Sequence, residues 1–365
     1  MQLLHSSSVH LPKATLTEAA AGHPGRVTGE LAESELRAPS MLHRAAAMSA
    51  RAMQATGKRR AADAPETPQP RRARRDDDEA PEQAFGLSGP GARVRIATSG
   101  FTLPQARYWQ LFDCLELNAT FYRTPKPDIW RSWCTKRPRE TTQYIVKALQ
   151  FFTHRKRLIC DDAFAARWSL WWGQHCRLLD DANCLFCLLW QLPPQMTATP
   201  VNRARLRDAL LSPATSPVAA SGVRCAIEFR HASWHCAEVY DELRQANFCL
   251  VTTVQNNEQL WAGNLASGIT PPLEPQTGGG PQLPVLTCDW GCYIRFHGGL
   301  GQYLGRHGDE EMRAWAGRIS HLLNDQTRSV VVAFNNTDDE APPSAVQDGL
   351  ALGRELRANG VLVNG

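Results

Sequence analysis

From Val94 onward the chain alternates short apolar runs with longer amphipathic stretches. Runs at 94–99, 114–120, 144–149, 184–192, 223–230, 249–254, 291–297 and 329–335 have the length and side-chain content of strands. Helical spacing falls between them, near 105–112, 126–137, 161–180, 202–211, 235–246 and 309–323, and after the last strand at 343–358. The clearest helix is 161–180. There Phe164, Trp168, Trp171, Trp172, His175, Leu178 and Leu179 recur on one side, and Asp161 and Asp162 can cap the start. Those tryptophans are expected in the core. Segment 256–288, with Pro271, Pro272 and Gly278 to Gly280, reads as a loop insertion. Eight strands, each followed by a crossover, predict an α/β fold, a TIM-type (β/α)8 barrel. Residues 91–365, about 275 in all, are near the roughly 250 that such a barrel needs. An open doubly wound sheet is the alternative, but Thr98-Ser99-Gly100 after the first strand does not form its Gly-rich phosphate turn.

Strand parity then separates the side chains. In Ala226-Ile227-Glu228-Phe229-Arg230, period 2 puts Ala226, Glu228 and Arg230 on one face and Ile227 and Phe229 on the other. Charges in such a run are costly unless paired or used. The pattern recurs. Glu116, Asn118 and Thr120 share a face, as do Lys147 and Ile145, and Gln191 closes the fourth run. Arg295 and His297 go with Tyr293, and Asn335 goes with Ala333. In a barrel the apolar faces pack on the helices, so these polar faces are predicted to point inward. Most lie near the C-terminal ends of their strands, where barrel sites are built.

Residues 1–90 differ in kind. They contain one aromatic residue, Phe85, and 12 Lys/Arg against 11 Asp/Glu, with no sustained apolar period. Such a segment cannot bury enough surface to offset its ordering entropy, and a disordered tail is expected. Within it, Lys58-Arg59-Arg60 and Arg71-Arg72-Ala73-Arg74-Arg75 are separated by ten residues. That is the spacing of a bipartite nuclear-import signal, so 58–75 is a candidate site for an import carrier. The first 25 residues have a faint transit-peptide composition, diluted by Glu18 and by Glu30, Glu33 and Glu35 beyond it. The eleven cysteines, odd in number and mostly within apolar runs, suit a reducing intracellular compartment, nuclear or cytoplasmic. Cys184 and Cys187 form a CxxC inside a hydrophobic run and are expected in the core. A net charge of +4 does not by itself imply nucleic-acid binding, and no apolar stretch approaches the ~18 residues that cross a membrane.

The blocks ATSGF (97–101), ELNATFYRTP (116–125), VKALQFFTH (146–154), WQLPP (190–194), EFRHASW (228–234), YIRFHG (293–298), YLGR (303–306) and VAFNNT (332–337) occur in that order. Together they resemble the YecE-like family, whose domain is catalogued as of unknown function (number 72), over roughly 94–350. The resemblance implies a TIM-type barrel and candidate residues, and no reaction. Its blocks fall on Glu116, Asn118, Thr120, Tyr122, Lys147, His154, Gln191, Glu228, Arg230, His231, Ser233 and Trp234. They continue with Arg295, His297, Gly298, Tyr303, Asn335 and Asn336. The chain departs from the family pattern at Ala97 and Phe101 (usually Gly and Trp) and at Ala119 (usually Ser). It departs again after Asn336, where an Asn-Ala pair is replaced by Ser344-Ala345. An altered rim around a retained charged centre is expected.

Lys147, Arg230 and Arg295 place three cations on inward faces against Glu116 and Glu228, a balance suited to a phosphate or carboxylate. His297 is the candidate general acid or base, and Glu228 a second such group or a support for Arg230. Lys147 completes the catalytic set. Trp234, Tyr122 and Phe121 are available to stack on a sugar ring or base. The expectation is an enzyme for a phosphorylated or other anionic, sugar- or nucleotide-like substrate, with hydrolase or lyase acid–base chemistry and no cofactor. A second reading makes Glu116, Glu228, His231, His297 and His154 ligands of a divalent metal. The nearby Arg and Lys, which repel a cation, count against it. A third reading is a binding protein without turnover, nucleic-acid-associated through its basic tail.

Overall fold

The computed structural model describes residues 94–255, 273–275, 280–325 and 329–361. The expected tail at 1–90, the basic clusters within 58–75 and most of the 256–288 connection lie outside the described residues.

Eight parallel strands form the barrel: β1 (Val94–Thr98), β2 (Cys114–Leu117), β3 (Gln143–Lys147), β4 (Leu185–Gln191), β5 (Cys225–Glu228), β6 (Cys249–Val254), β7 (Gly291–Phe296) and β8 (Ser329–Phe334). Neighbours in sequence are neighbours in the sheet, and β8 pairs back onto β1 from Val94↔Val330 to Thr98↔Phe334. The last seam, between β1 and β2, is thin. It consists of the bridge Ser99↔Glu116 and the bond from Gly100 N–H to the Glu116 carbonyl, 2.9 Å. Tyr108 makes up for the missing ladder there. Its buried hydroxyl accepts from Thr98 N–H at 3.1 Å and donates to the Cys114 carbonyl at 2.7 Å, satisfying both strands.

The outer ring is α1 (Gln105–Leu111), α2 (Pro127–Thr135), α3 (Asp162–Trp171), α4 (Arg177–Asp181), α5 (Pro200–Leu206), α6 (Ala237–Gln245), α7 (Asp309–Asp325) and α8 (Ser344–Ala358). A π-helical turn, Trp172–Cys176, joins α3 to α4, so the predicted helix at 161–180 is one continuous feature. Asp161 caps it, accepting from Phe164 N–H at 3.0 Å. Phe164, Trp168 and Trp171 bury themselves against Phe152 and Trp190, as core and not as a cofactor box. All eleven cysteines are described and none is in a disulfide; Cys184 and Cys187 are both buried in the core. No described helix is long and apolar enough to cross a membrane.

Two apolar environments follow from strand parity. Val94 and Ile96, Leu115, Val146, Leu188 and Trp190, Ile227, Leu250, Ile294, and Val330 and Val332 face the helices. Ala97, Cys114, Ile145, Cys187, Leu189, Ala226, Val251, Tyr293 and Val331 fill the lower barrel. Above them, toward the C-terminal strand ends, the interior turns polar. Strands end sooner than their patterns suggest, β3 at Lys147, β5 at Glu228 and β2 by the widest margin. β2 stops at Leu117, and Asn118–Phe121 coil into a 3₁₀ turn held by the Thr120 hydroxyl, which contacts the Leu117 and Lys147 carbonyls. The strand parity assumed for Asn118 and Thr120 therefore fails.

Candidate functional site

Arg295, on β7, is fully buried at the centre of the polar layer. Its Nε donates to Glu116 Oε2 at 2.8 Å and its Nη2 to Oε1 at 2.7 Å, the parallel fork that guanidinium and carboxylate favour. Nη1 donates to Glu228 Oε2, and Nη2 also reaches Ser99 Oγ at 3.2 Å. Glu116 accepts further bonds from Ser99 Oγ, 2.5 Å, and from the Tyr293 hydroxyl. Arg230 Nε donates to Glu228 Oε1, and its Nη2 lies 3.4 Å from His297 Nε2. His297 Nε2 is 3.5 Å from Glu228 Oε1, and its Nδ1 is 3.1 Å from the Asn335 amide nitrogen. One network thus joins β1, β2, β5, β7 and the end of β8.

Lys147, at the end of β3, is buried but stands outside that network. Its amine lies 4.4 Å from the centre of the Phe121 ring and has no carboxylate partner among the described residues. Both nearby carboxylates are occupied by arginine. Three cations meet two carboxylates, so the layer has one surplus positive charge whenever Lys147 is protonated.

The electrostatics sort these groups by role. Burial alone would raise Glu116 and Glu228, but the adjoining arginines outweigh it. Glu116 is held below the usual range and Glu228 well below it, so both remain ionised. Burial, then the Arg230 charge, pushes His297 down to about 3, which leaves the imidazole neutral through the physiological range. In that neutral form the imidazole is suited to relay a proton rather than to start as a charged acid. Burial, then the Arg295 charge, lowers Lys147 to about 7 against the pull of Glu116 and Glu228. Of the three candidate catalytic groups, Lys147 alone exchanges its proton near neutrality. His154 is lowered to about 4 by burial and by Lys147, Arg230 and Arg157, and its ring stands edge-on to Phe121 at 4.9 Å.

The other sequence candidates divide. Half-buried Asn118 and Gln191 lie at the same strand ends. Tyr122 is 58% exposed and close enough to Tyr303 that the two phenols, after burial, raise Tyr122. Tyr303 lies 5.9 Å from the His297 ring, with its N–H on the His297 carbonyl at 2.7 Å. That placement needs glycine. A Cβ on Gly298 would meet the Gly301 oxygen at 2.2 Å, and one on Gly299 would meet the Arg306 oxygen at 1.9 Å. Trp234 is not available for stacking on a ligand. It is fully buried, stacked on Phe229 at 4.8 Å, with its indole N–H on the Met196 carbonyl at 2.6 Å. Ser233 Oγ accepts from Ala198 N–H at 2.8 Å, and His231 Nδ1 accepts from Ser233 N–H at 3.1 Å, so this trio fastens one rim loop to the next. Asn336 lies outside the network, bonded to the Gly305 carbonyl and to Asp348 at 2.9 Å.

Ser99 and Gln255 are absent from the sequence candidates. Ser99 continues the parity of Arg95 and Ala97, and Gln255 that of Val251 and Thr253, so extending the alternation past the strand ends finds both. The Gln255 amide nitrogen and the Asn118 amide oxygen are buried without a partner among the described residues. A buried polar atom left unpaired costs about 1–3 kcal/mol, which a ligand bonded to it would recover. The metal reading fares differently: among the described residues no group of three or more His, Cys, Asp or Glu side chains is arranged to hold an ion.

A family model described as "Protein of unknown function DUF72" matches residues 103–361. No curated protein matches the chain. Among solved structures, the chain is similar to a DUF72 family protein from Enterococcus faecalis V583, with 16% identity and a TM-score of 0.54 over 72% of this chain and 95% of that one. It is also similar to a DUF72 family protein from Thermotoga maritima MSB8, with 22% identity and a TM-score of 0.52 over 72% of this chain and 99% of that one. At such identities the likeness concerns the fold.

Proposed function

The chain belongs to the DUF72 family of proteins of unknown function, and from that premise we propose a function built on the site alone. The protein is a barrel enzyme. It binds a small phosphorylated or otherwise anionic, sugar- or nucleotide-like substrate at the C-terminal strand ends and acts on it by acid–base chemistry of the hydrolase or lyase kind. The observation that carries this reading is the Lys147 amine, buried beside two carboxylates that are both committed to arginines. An incoming anion supplies the counter-charge that the amine lacks. Arg295 does not clamp the anion, because Glu116, Ser99 and Glu228 engage its Nε and both terminal nitrogens. Arg295 instead forms the charged floor, and Lys147, Arg230 and the Asn118 and Gln255 amides face the ligand.

The test is thermal melting with inorganic phosphate, a pentose phosphate and a nucleoside monophosphate. A ligand at a hundred times its Kd stabilises by about 2.7 kcal/mol, a rise of several degrees for a domain of this size. Lys147→Met should abolish the rise. A wild-type melting temperature that moves with none of the anions contradicts the reading.

A further inference from the structure

We propose that Lys147 is a nucleophile that forms an imine with the carbonyl carbon of its substrate, so that the ligands of this site are oxo acids or phosphorylated aldehydes and ketones. The inference rests on the anion-binding reading in one respect only: the remaining donors hold the substrate's charged group while the amine takes its carbonyl.

Three observations lead there. The first is compositional. The chain has 34 arginines and six lysines: Lys13, Lys58, Lys126, Lys136, Lys147 and Lys156. A position that needed only a fixed positive charge would be served by the residue this chain otherwise uses, and arginine neither loses its proton nor attacks carbon. The second is placement. Of the four described lysines, Lys126 and Lys136 are exposed and Lys156 is paired with Asp161, whereas Lys147 is buried at a strand end in the barrel. The third is the missing counter-charge. Arg295 engages both Glu116 and Glu228, and the amine is left with the face of Phe121, 4.4 Å away. A ring face stabilises a desolvated ammonium less than a carboxylate partner would, so the neutral amine is favoured. Its lowering to about 7 agrees, and makes the nucleophilic fraction at pH 7 roughly a thousandfold larger than for an ordinary lysine.

The step balances without a cofactor. The Nζ lone pair attacks the carbonyl carbon, the C=O π pair moves to oxygen, and one amine proton passes to that oxygen through water or the neutral His154 imidazole. The resulting hydroxyl leaves as water with one proton drawn from solvent, and the nitrogen lone pair closes the C=N bond. The iminium withdraws electrons from the adjacent carbon, which favours the lyase branch of the proposed chemistry.

The full chain is incubated at pH 7 with sodium borohydride and either pyruvate or dihydroxyacetone phosphate, and the adducts are located by intact mass and peptide mapping. The expected result is one reduced adduct on Lys147, formed at least a hundredfold faster than on Lys126, Lys136 or Lys156 and slowed by excess inorganic phosphate. Labelling spread evenly over the surface lysines, or absent from Lys147, overturns the inference. Wild-type mapping needs no variant to fold; Lys147→Arg, which keeps the charge, should lose the adduct while melting as a folded protein. Anion-induced stabilisation without an adduct sinks the imine and leaves the binding reading. An adduct on Lys147 without stabilisation by any anion supports the imine and sinks the binding reading.

Discussion

At the scale of single residues, the site separates groups that hold charge from one that can exchange it. Lys147 has an ordinary value of 10.5 when unfolded and about 7 when folded, so the unfolded chain binds its proton more tightly. Stability contributed by this residue therefore rises with pH between about 7 and 10.5, and its full penalty is present below about 7. Lys147→Met keeps the volume and removes the charge. The variant should be more stable than wild type at pH 6, by on the order of 4 kcal/mol, with most of the gain gone at pH 9.5. Urea midpoints at the two pH values check this, and an equal effect at both would show that the amine is not charged against its surroundings. Much of this residue scale was legible from parity: Lys147, Glu228, Arg230, Arg295, His297 and Asn335 all lie on the inward faces assigned to them. The titration of His297 was not legible. Its depression comes from burial and from the Arg230 charge beside it, and a linear sequence does not reveal either neighbour.

Elements decide which of the candidate polar groups reach the centre and which brace it. The period-2 pattern located all eight strands and the 3.6-residue pattern the helices. The errors fall where a strand gives way to a turn. Parity predicts an inward face for Thr120, but its hydroxyl closes the turn that ends β2. Trp234 lies six residues beyond Glu228, past the point where alternation carries information, and it packs in the outer core. The loop from Gly298 to Gly308 shows how much bracing one rim needs. Asp348, buried on α8, accepts from Arg306 Nε at 3.1 Å, His307 N–H at 2.8 Å, Gly308 N–H at 3.3 Å and Asn336 at 2.9 Å. Asp348→Ala removes this acceptor from Arg306 Nε and from the His307 and Gly308 N–H groups, while Asn336 keeps the Gly305 carbonyl, and a loss on the order of 3 kcal/mol is expected. The loop that carries Tyr303 should also become the first site of limited proteolysis. Unchanged stability together with an unchanged cleavage pattern would show that the loop is held by other contacts.

For the molecule as a whole, the polar network is a closure device as well as a floor. Backbone pairing between β1 and β2 is reduced to a single bridge, and Ser99 and Glu116, the two residues of that bridge, are the ones Arg295 reaches from across the barrel. Sequence could place three cations and two carboxylates inside. It could not say that Arg295 would be shared between Glu116 and Glu228, because partner choice depends on strand stagger and tilt, which parity does not encode. Arg295→Met tests the closure role with a predicted sign. In the native protein both carboxylates titrate below their unfolded value, so their stabilisation is present above about pH 4.5 and lost as pH falls through the folded values. Without Arg295, Glu116 loses its fork and Glu228 one of its two guanidinium partners, in a site that remains buried. Removing one partner of a buried pair costs about 3–5 kcal/mol, and that loss is expected at pH 7.5. Burial then raises Glu116 above its unfolded value while Arg230 still holds Glu228 down, so the variant, unlike the wild type, should gain stability on going from pH 7.5 to pH 5.5. Denaturation midpoints across that interval decide the matter, and parallel slopes for the two proteins would mean that Arg295 is not what keeps Glu116 ionised inside the barrel.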